Sequence, residues 1–352
     1  MPVTVRSFAK INLGLCIGPL RPDGFHSLRT VYQTIALHDI LKISIQRGSG
    51  VEIECKDSRV PTGESNTCFT TAQRVMSALG AKGKVVIRIE KTLPVQGGLG
   101  GASANAVATL LGIERALRRK LPGSEKLRIA AEVGSDVPLF LIGGTVLGVG
   151  RGEEVYPLPD LPSTHCVVVL PNIGVSTPQA FKDWDQMIAD SANSPGVVES
   201  PPRSRNRAAT EASELTLSGH SDRMNEFGRR VSSWLSGLSQ ETGTLATGAP
   251  ALGRSRAETP LLDLVRAGIE NDFERVVFPK YPELRDMKRV LEGEGAFYSS
   301  LSGSGSALYG LFRTRAGAQK AASRLTKKGI AAQATTTLTR QQYAKKFLVS
   351  SS

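Results

Sequence analysis

The stretch Pro94-Val95-Gln96-Gly97-Gly98-Leu99-Gly100-Gly101-Ala102-Ser103-Ala104-Asn105-Ala106 decides how the rest of the chain is read. Before it, Lys84 to Glu90 is rich in β-branched residues and alternates, the period of a strand. After it, Val107, Leu110, Leu111 and Leu117 recur at helical spacing. They predict a helix to about Lys120, stopped by Leu121-Pro122-Gly123. Strand, glycine loop and helix, in that order, aim backbone N–H groups and the positive end of a helix dipole at one point. Phosphate oxygens fit there, and the missing side chains let them come close. Ser103 adds a hydroxyl that could reach a phosphate or a bound Mg²⁺. No Lys follows the glycines, so this is not GxxxxGK[ST], and it is not GxGxxG in a dinucleotide fold. The bland alternative is a turn joining a strand to a helix. Four glycines in the five positions 97–101, at a helix entrance, favour phosphate.

Length and composition set the outer limits. At 352 residues two domains are expected, and 40% hydrophobic content allows a sizeable core. No apolar run reaches the roughly 18–20 residues of a membrane span. The start, Met1-Pro2-Val3-Thr4-Val5-Arg6, lacks the pattern of a signal peptide, so a cytoplasmic protein with no membrane partner is expected. Cys16, Cys55, Cys68 and Cys166 form no CxxC pair and have no His at metal-ligand spacing, and read as free thiols. The net charge of +12 suits anionic ligands, nucleotides or nucleic acid. The basic residues are dispersed and form no nucleic-acid-binding signature, so no nucleic-acid partner is expected.

Working outward toward the N-terminus, residues 3–17 alternate as a strand, with Lys10 and Asn12 leaving one face. That face is either solvated or lines a polar pocket. Arg21-Pro22-Asp23-Gly24 is a turn that presents Phe25 and His26 together. Leu41–Gln46 and Val51–Cys55 read as a hairpin around Arg47-Gly48-Ser49-Gly50, and Asn66 as part of a cap for a helix to about Leu79. On the other side of the glycine loop, a helix at 124–134 precedes Ser135-Asp136-Val137-Pro138. Asp136 is either a cap or a general base held at an apolar wall.

A new domain is expected near residue 162, dividing the chain into 1–161 and 162–352. Between about 186 and 258 Ser, Pro, Arg, Gly, Ala and Thr dominate, as in a flexible insertion. Met224, Phe227, Val231, Leu235 and Leu238 nevertheless fall at the spacing of one amphipathic helix inside it. Helices are then expected at 283–292 and 316–328, and strands at 296–301, 307–312 and 331–338. Ser302-Gly303-Ser304-Gly305-Ser306 is either a hairpin turn or a backbone nest for phosphates.

Ser7-Phe8-Ala9-Lys10-Ile11-Asn12, the loop 94–106 and Leu301-Ser302-Gly303-Ser304-Gly305-Ser306 stand in an order that resembles the three motifs of the galactokinase, homoserine, mevalonate and phosphomevalonate kinase superfamily. Arg21–His26, Ser135–Pro138, the segment 143–153, Thr177-Pro178 with Phe181, and Asn271-Asp272-Phe273-Glu274 make the set similar to the 4-diphosphocytidyl-2-C-methyl-D-erythritol kinase family. The resemblance spans about residues 3–185 and 260–338.

That resemblance implies an α+β fold. An N-terminal mixed-sheet domain would resemble ribosomal protein S5 domain 2, and a C-terminal domain would be ferredoxin-like. It implies phosphoryl transfer from ATP, with Mg²⁺, to the 2-hydroxyl of a cytidine diphosphate-linked small molecule, by a monomer or weak homodimer. By the same resemblance Asp136 is the base and Lys10 its cationic partner. Asn66, Lys91, Pro94, Gly97, Gly98, Leu99, Gly100, Gly101, Ala102, Ser103, Ala104, Gly303 and Gly305 are placed at ATP. Asn12, Phe25, His26, Thr177 and Phe181 are placed at the acceptor, with Ser103 the candidate magnesium ligand. Three departures stand out. Phe25 lies where many members carry Tyr, Gln96 replaces a common loop glycine, and the insertion is longer than the family suggests. Other superfamily kinases share the phosphate machinery without needing a cytosine pocket.

Overall fold

The computed structural model describes residues 2–95, 97–193, 222–233, 235 and 269–349. Gln96 lies outside them. So does the expected 186–258 insertion, except for 186–193, 222–233 and 235, which are helical. Within that helix Phe227 and Val231 are buried, as the periodicity predicts.

The first sheet is built on one long strand. β1 (Val3–Leu20) and β2 (His26–Gln46) pair antiparallel around the turn at Gly24, where φ is +80°. The other edge of β2 is shared. β5 (Thr145–Val149) pairs with Thr30–Gln33, and β4 (Lys84–Glu90) pairs with Ile40–Gln46. β6 (Glu154–Pro157) extends the sheet beyond β5.

β3 (Val51–Cys55) overturns the expected hairpin. It runs parallel to β4, which lies between it and β2. Parallel neighbours need a crossover, and helix α1 (Thr67–Ala78) supplies it. The alternation of β3 shows which face is buried but not which strand it pairs with. Helix α2 (Gly101–Leu117) packs against α1, β1 and β2, and Gly112 permits the approach: a Cβ there would stand 2.2 Å from Ile43. Helix α3 (Gly123–Val133) and the short α4 (Leu139–Ile142) flank the turn that carries Asp136.

The second sheet is antiparallel throughout, in the order β10 (Ala332–Thr336), β7 (His165–Val169), β9 (Leu308–Phe312), β8 (Tyr298–Leu301). With the helices Pro282–Gly293 and Arg315–Lys327 packed on it, this is the expected ferredoxin-like arrangement. β1 joins the two sheets. Its Leu15 N–H donates to Glu270 O, its Leu15 carbonyl accepts from Asp272, and Tyr309 Oη donates to Asn12 O. After β10 the chain returns to the first sheet through the helix Arg340–Phe347, where Tyr343 packs against Phe8 and donates to Phe140 O.

Candidate active site

β1 is irregular on both sides of the residues that matter. Its register shifts between Phe8 and Lys10 and again between Asn12 and Gly14, the kind of bulge that re-aims side chains. Lys10 and Asn12 are both buried, so the polar-pocket reading holds and the solvated face does not. Lys10 Nζ donates to Asn12 Oδ1 at 2.7 Å and lies 3.3 Å from Asp136 Oδ2. Asn12 Nδ2 donates to Thr30 Oγ1 at 2.8 Å. Tyr32 Oη donates to the other Asp136 oxygen at 2.9 Å. Burial first, and then the neighbouring carboxylate, push the Tyr32 phenol well above its ordinary pKa, so it acts as a donor only. The N-cap of α4 is Pro138, with no side-chain cap bond, and the Asp136 carboxylate is met by Lys10 and Tyr32. Its carboxylate is held at two points, is one-third exposed, and is free to accept a proton from a bound hydroxyl.

The glycine loop packs directly on this pair. Lys10 N–H donates to Leu99 O at 2.9 Å, and a Cβ on Gly100 would stand 3.1 Å from Lys10 Cγ and 2.9 Å from Phe140. Gly100 opens α2 in the left-handed region, and no side chain caps that helix, so its first N–H groups and dipole face an open end. Beside it is a cavity of about 290 Å³. Asn66, Lys91, Pro94, Gly97, Gly98, Leu99, Gly100, Gly101, Ala102 and Ser103 line it, together with Val60, Pro61, Ser65 and Thr67. Ala104 is buried one turn in, its N–H bonded to Gly100 O. Gly303 and Gly305 do not line this cavity. They lie in the turn between β8 and β9, where a Cβ on Gly303 would stand 3.5 Å from Lys10 Nζ, and the turn docks on the loop. Ser302 Oγ donates to Gly98 O at 2.9 Å, and Ala307 N–H donates to Gly97 O at 3.1 Å. Asn271 Nδ2 holds the turn from behind through Leu301 O and Gly303 O.

Lys91 is tied to a residue the sequence reading did not single out. Its Nζ lies 2.8 Å from Asp39 Oδ2, and both groups are buried. Asp39 also accepts from Thr92 N, Leu93 N and Asn105 Nδ2, which anchors the entrance of the glycine loop. An acid inside an apolar strand stretch, between Leu37 and Ile40, was the available signal.

His26 is buried where β2 begins. Its Nδ1 lies 3.0 Å from Gly18 O, in reach to donate to that carbonyl. Nε2 faces Asp185 Oδ1 at 3.2 Å. Phe181 stacks on His26 with centroids 5.0 Å apart and planes 4° apart. Phe25 is half-exposed, and its ring carries the Arg151 guanidinium at 4.9 Å. Thr177 shares a 2.7 Å hydrogen bond with Ser304, bringing the start of α5 (Thr177–Asn193) to the second glycine turn. Thr30, Tyr32, Asp39 and Asp185 escaped the sequence reading, because each becomes meaningful only through a partner remote in the chain. Among the described residues no cluster of three ligating side chains could hold a metal.

A left-handed glycine entrance to a helix, a buried Lys–Asp pair against it and a ferredoxin-like sheet that closes over both define a small-molecule kinase of the GHMP class. In agreement, the family of GHMP kinases N terminal domains matches residues 66–144, and the family of GHMP kinases C terminal domains matches residues 251–331. The chain is 37% identical over 311 residues to the 4-diphosphocytidyl-2-C-methyl-D-erythritol kinase of Solibacter usitatus, covering 88% of this chain and 81% of that one. It is 32% identical to the enzyme of the same name from Acaryochloris marina, over 92% of this chain and 91% of that one. The solved structure of 4-(cytidine 5'-diphospho)-2C-methyl-D-erythritol kinase superposes with a TM-score of 0.66 at 26% identity, covering 95% of this chain and 98% of that one. A homoserine kinase from Cytophaga hutchinsonii gives 0.65 at 20% identity, covering 97% and 96%, and so shares the fold. The chain belongs to the 4-diphosphocytidyl-2-C-methyl-D-erythritol kinase family.

Proposed function

We propose that the protein transfers the γ-phosphoryl group of ATP to the 2-hydroxyl of 4-diphosphocytidyl-2-C-methyl-D-erythritol, a step in making isoprenoid precursors without mevalonate. The observation that carries the reading is the Lys10–Asp136 pair. It lies against the glycine loop, and the His26–Phe181 stack stands near the same strand pair. ATP occupies the cavity, with its phosphates along the open end of α2 toward Lys10. The acceptor lies across the Phe25–His26 turn, with Asn12 and Thr177 near the alcohol portion.

Phosphoryl transfer asks for positioning and charge neutralisation more than covalent chemistry. The hydroxyl oxygen forms its bond to the γ-phosphorus as the bond to the bridging oxygen breaks. Its proton passes to Asp136, and ADP leaves. Lys10 offsets charge on Asp136 and on the moving phosphoryl group, and Tyr32 orients the carboxylate. Magnesium, bound with ATP, would supply positive charge to offset that of the phosphates. The donor set fits an ion held chiefly by substrate, with the Ser103 hydroxyl as protein ligand. We place the boundary between the two domains near residue 162.

The test is ADP release with ATP and Mg²⁺, comparing the diphosphocytidyl acceptor with homoserine, mevalonate and galactose. Strong preference for the first is expected. Turnover of one of the others in its place would overturn the assignment.

A further inference from the structure

An acceptor that carries a cytidine diphosphate, the reading on which this inference rests, must lay two anionic phosphates between its base and its reacting hydroxyl. His26 and Phe181 mark the base end, and Lys10 and Asp136 the hydroxyl end. The segment 150–153 runs from one to the other. Gly150 O accepts from Leu28 N at 2.6 Å, two residues beyond His26. A Cβ on Gly152 would stand 2.5 Å from Tyr32 Oη and 3.9 Å from Asp136 Oδ1. Arg151 sits between these two glycines, so its backbone is fixed at both ends.

The guanidinium is held as well. It lies 4.9 Å over the Phe25 ring. Glu153 accepts from Arg151 Nε at 3.1 Å and from the Arg151 backbone N–H at 2.6 Å. These contacts use one face and the Nε edge and leave the two Nη groups, the fork that matches a pair of phosphate oxygens. Two neighbouring carboxylates are already engaged: Glu153 by Arg151, and Asp23 by Arg21 at 3.2 Å. Phe25 has no hydroxyl to donate, so it serves as the platform and Arg151 as the donor.

We propose that Arg151 is a specificity-determining residue whose Nη fork binds the diphosphate of the acceptor, with Phe25 and Glu153 holding the guanidinium in place. It selects acceptors joined to cytidine through phosphate over cytidine alone.

Titration calorimetry with CDP and with cytidine, on the wild type and on Arg151→Gln, Arg151→Ala and Arg151→Lys, tests this. Arg151→Gln and Arg151→Ala should weaken CDP roughly tenfold to a hundredfold while moving cytidine less than about twofold, the loss of charge-assisted hydrogen bonds. Arg151→Lys should recover part of the loss. The KM of the acceptor should rise with the CDP constant while kcat changes less. Where an Arg151 variant melts early, Glu153→Gln loosens the guanidinium without removing it and should weaken CDP selectively by a smaller factor. Equal weakening of CDP and cytidine would make Arg151 a prop for Phe25 and overturn the proposal. So would an Arg151→Gln variant that binds CDP as tightly as the wild type. A wild type that binds CDP but fails only this comparison leaves the cytidine reading standing. A wild type that binds neither CDP nor cytidine, yet phosphorylates homoserine or mevalonate, removes the cytidine reading and the inference with it.

Discussion

Lys10 Nζ stands 3.3 Å from the Asp136 carboxylate, joining a bulged strand to a turn between two helices. The proposed mechanism assigns this pair to proton transfer and charge neutralisation. Asp136→Asn keeps the shape and removes the proton acceptor. It should lower kcat by about 10²–10⁴ and leave the KM for ATP within about threefold. Initial rates of ADP release check this, and near-normal kcat would remove Asp136 as the base.

Gly98 has φ +75°, and a Cβ there would meet Ser302 O at 2.0 Å. Gly98→Ala should therefore cost more than about 1 kcal/mol of stability and raise the KM for ATP, because the loop and the second glycine turn can no longer touch. Ser302→Ala removes only one hydrogen bond to Gly98 O and should do less on both counts. Thermal unfolding and ATP saturation curves of the two variants give the ranking. An alanine tolerated at position 98 would show that the close docking is not required.

Lys91 and Asp39 form a buried pair, so a kinetic defect on changing Lys91 has two possible sources. Lys91→Met leaves the Asp39 carboxylate buried without its cation and should destabilise by about 3–5 kcal/mol. The double variant Asp39→Asn with Lys91→Met should regain most of that stability in urea unfolding while the KM for ATP stays high. If the double variant also restores the KM, Lys91 acts on the nucleotide only by holding the loop.

Tyr32, Tyr298, Tyr309 and Tyr343 are all raised above their ordinary pKa of 10.0, burial being the largest cause in each case. Their neutral forms are favoured in the folded state. This stability is present in full below pH 10 and is lost as the pH rises above it, since the unfolded phenols ionise first. Each group steepens the fall by about 1.4 kcal/mol per pH unit. Urea unfolding between pH 9 and 11.5 should show a shallower decline in Tyr32→Phe than in the wild type, and an unchanged slope would contradict the burial of this hydroxyl.

The glycine loop, the strand before it and the helix after it were legible because their signals are local. Backbone freedom at 97–101, the period of 84–90 and the apolar spacing after 106 each lie within one short window. The strand that carries Lys10 and the separate helices and strands of the C-terminal half were legible for the same reason, whereas the ferredoxin-like arrangement of that half was implied only by the family resemblance. The partner of β3 was not. Its alternation reports a buried face, whereas its pairing with β4 depends on α1 crossing between them. The return of the helix Arg340–Phe347 to the first sheet likewise rests on Tyr343 meeting Phe8 and Phe140, residues from distant segments.

At the site the division follows the same line. The sequence by itself determined which residue types were available for phosphate, proton transfer and base recognition, because motif spacing is a property of the chain. Only the tertiary structure decided their assignments. Whether Lys10 faced solvent or a carboxylate, whether Asp136 capped a helix or met Tyr32, and whether Lys91 stood free or answered Asp39 depended on contacts closed by folding. A charged side chain acquires its role from the partner and the burial it is given, and both are set by segments that the chain brings together only in three dimensions.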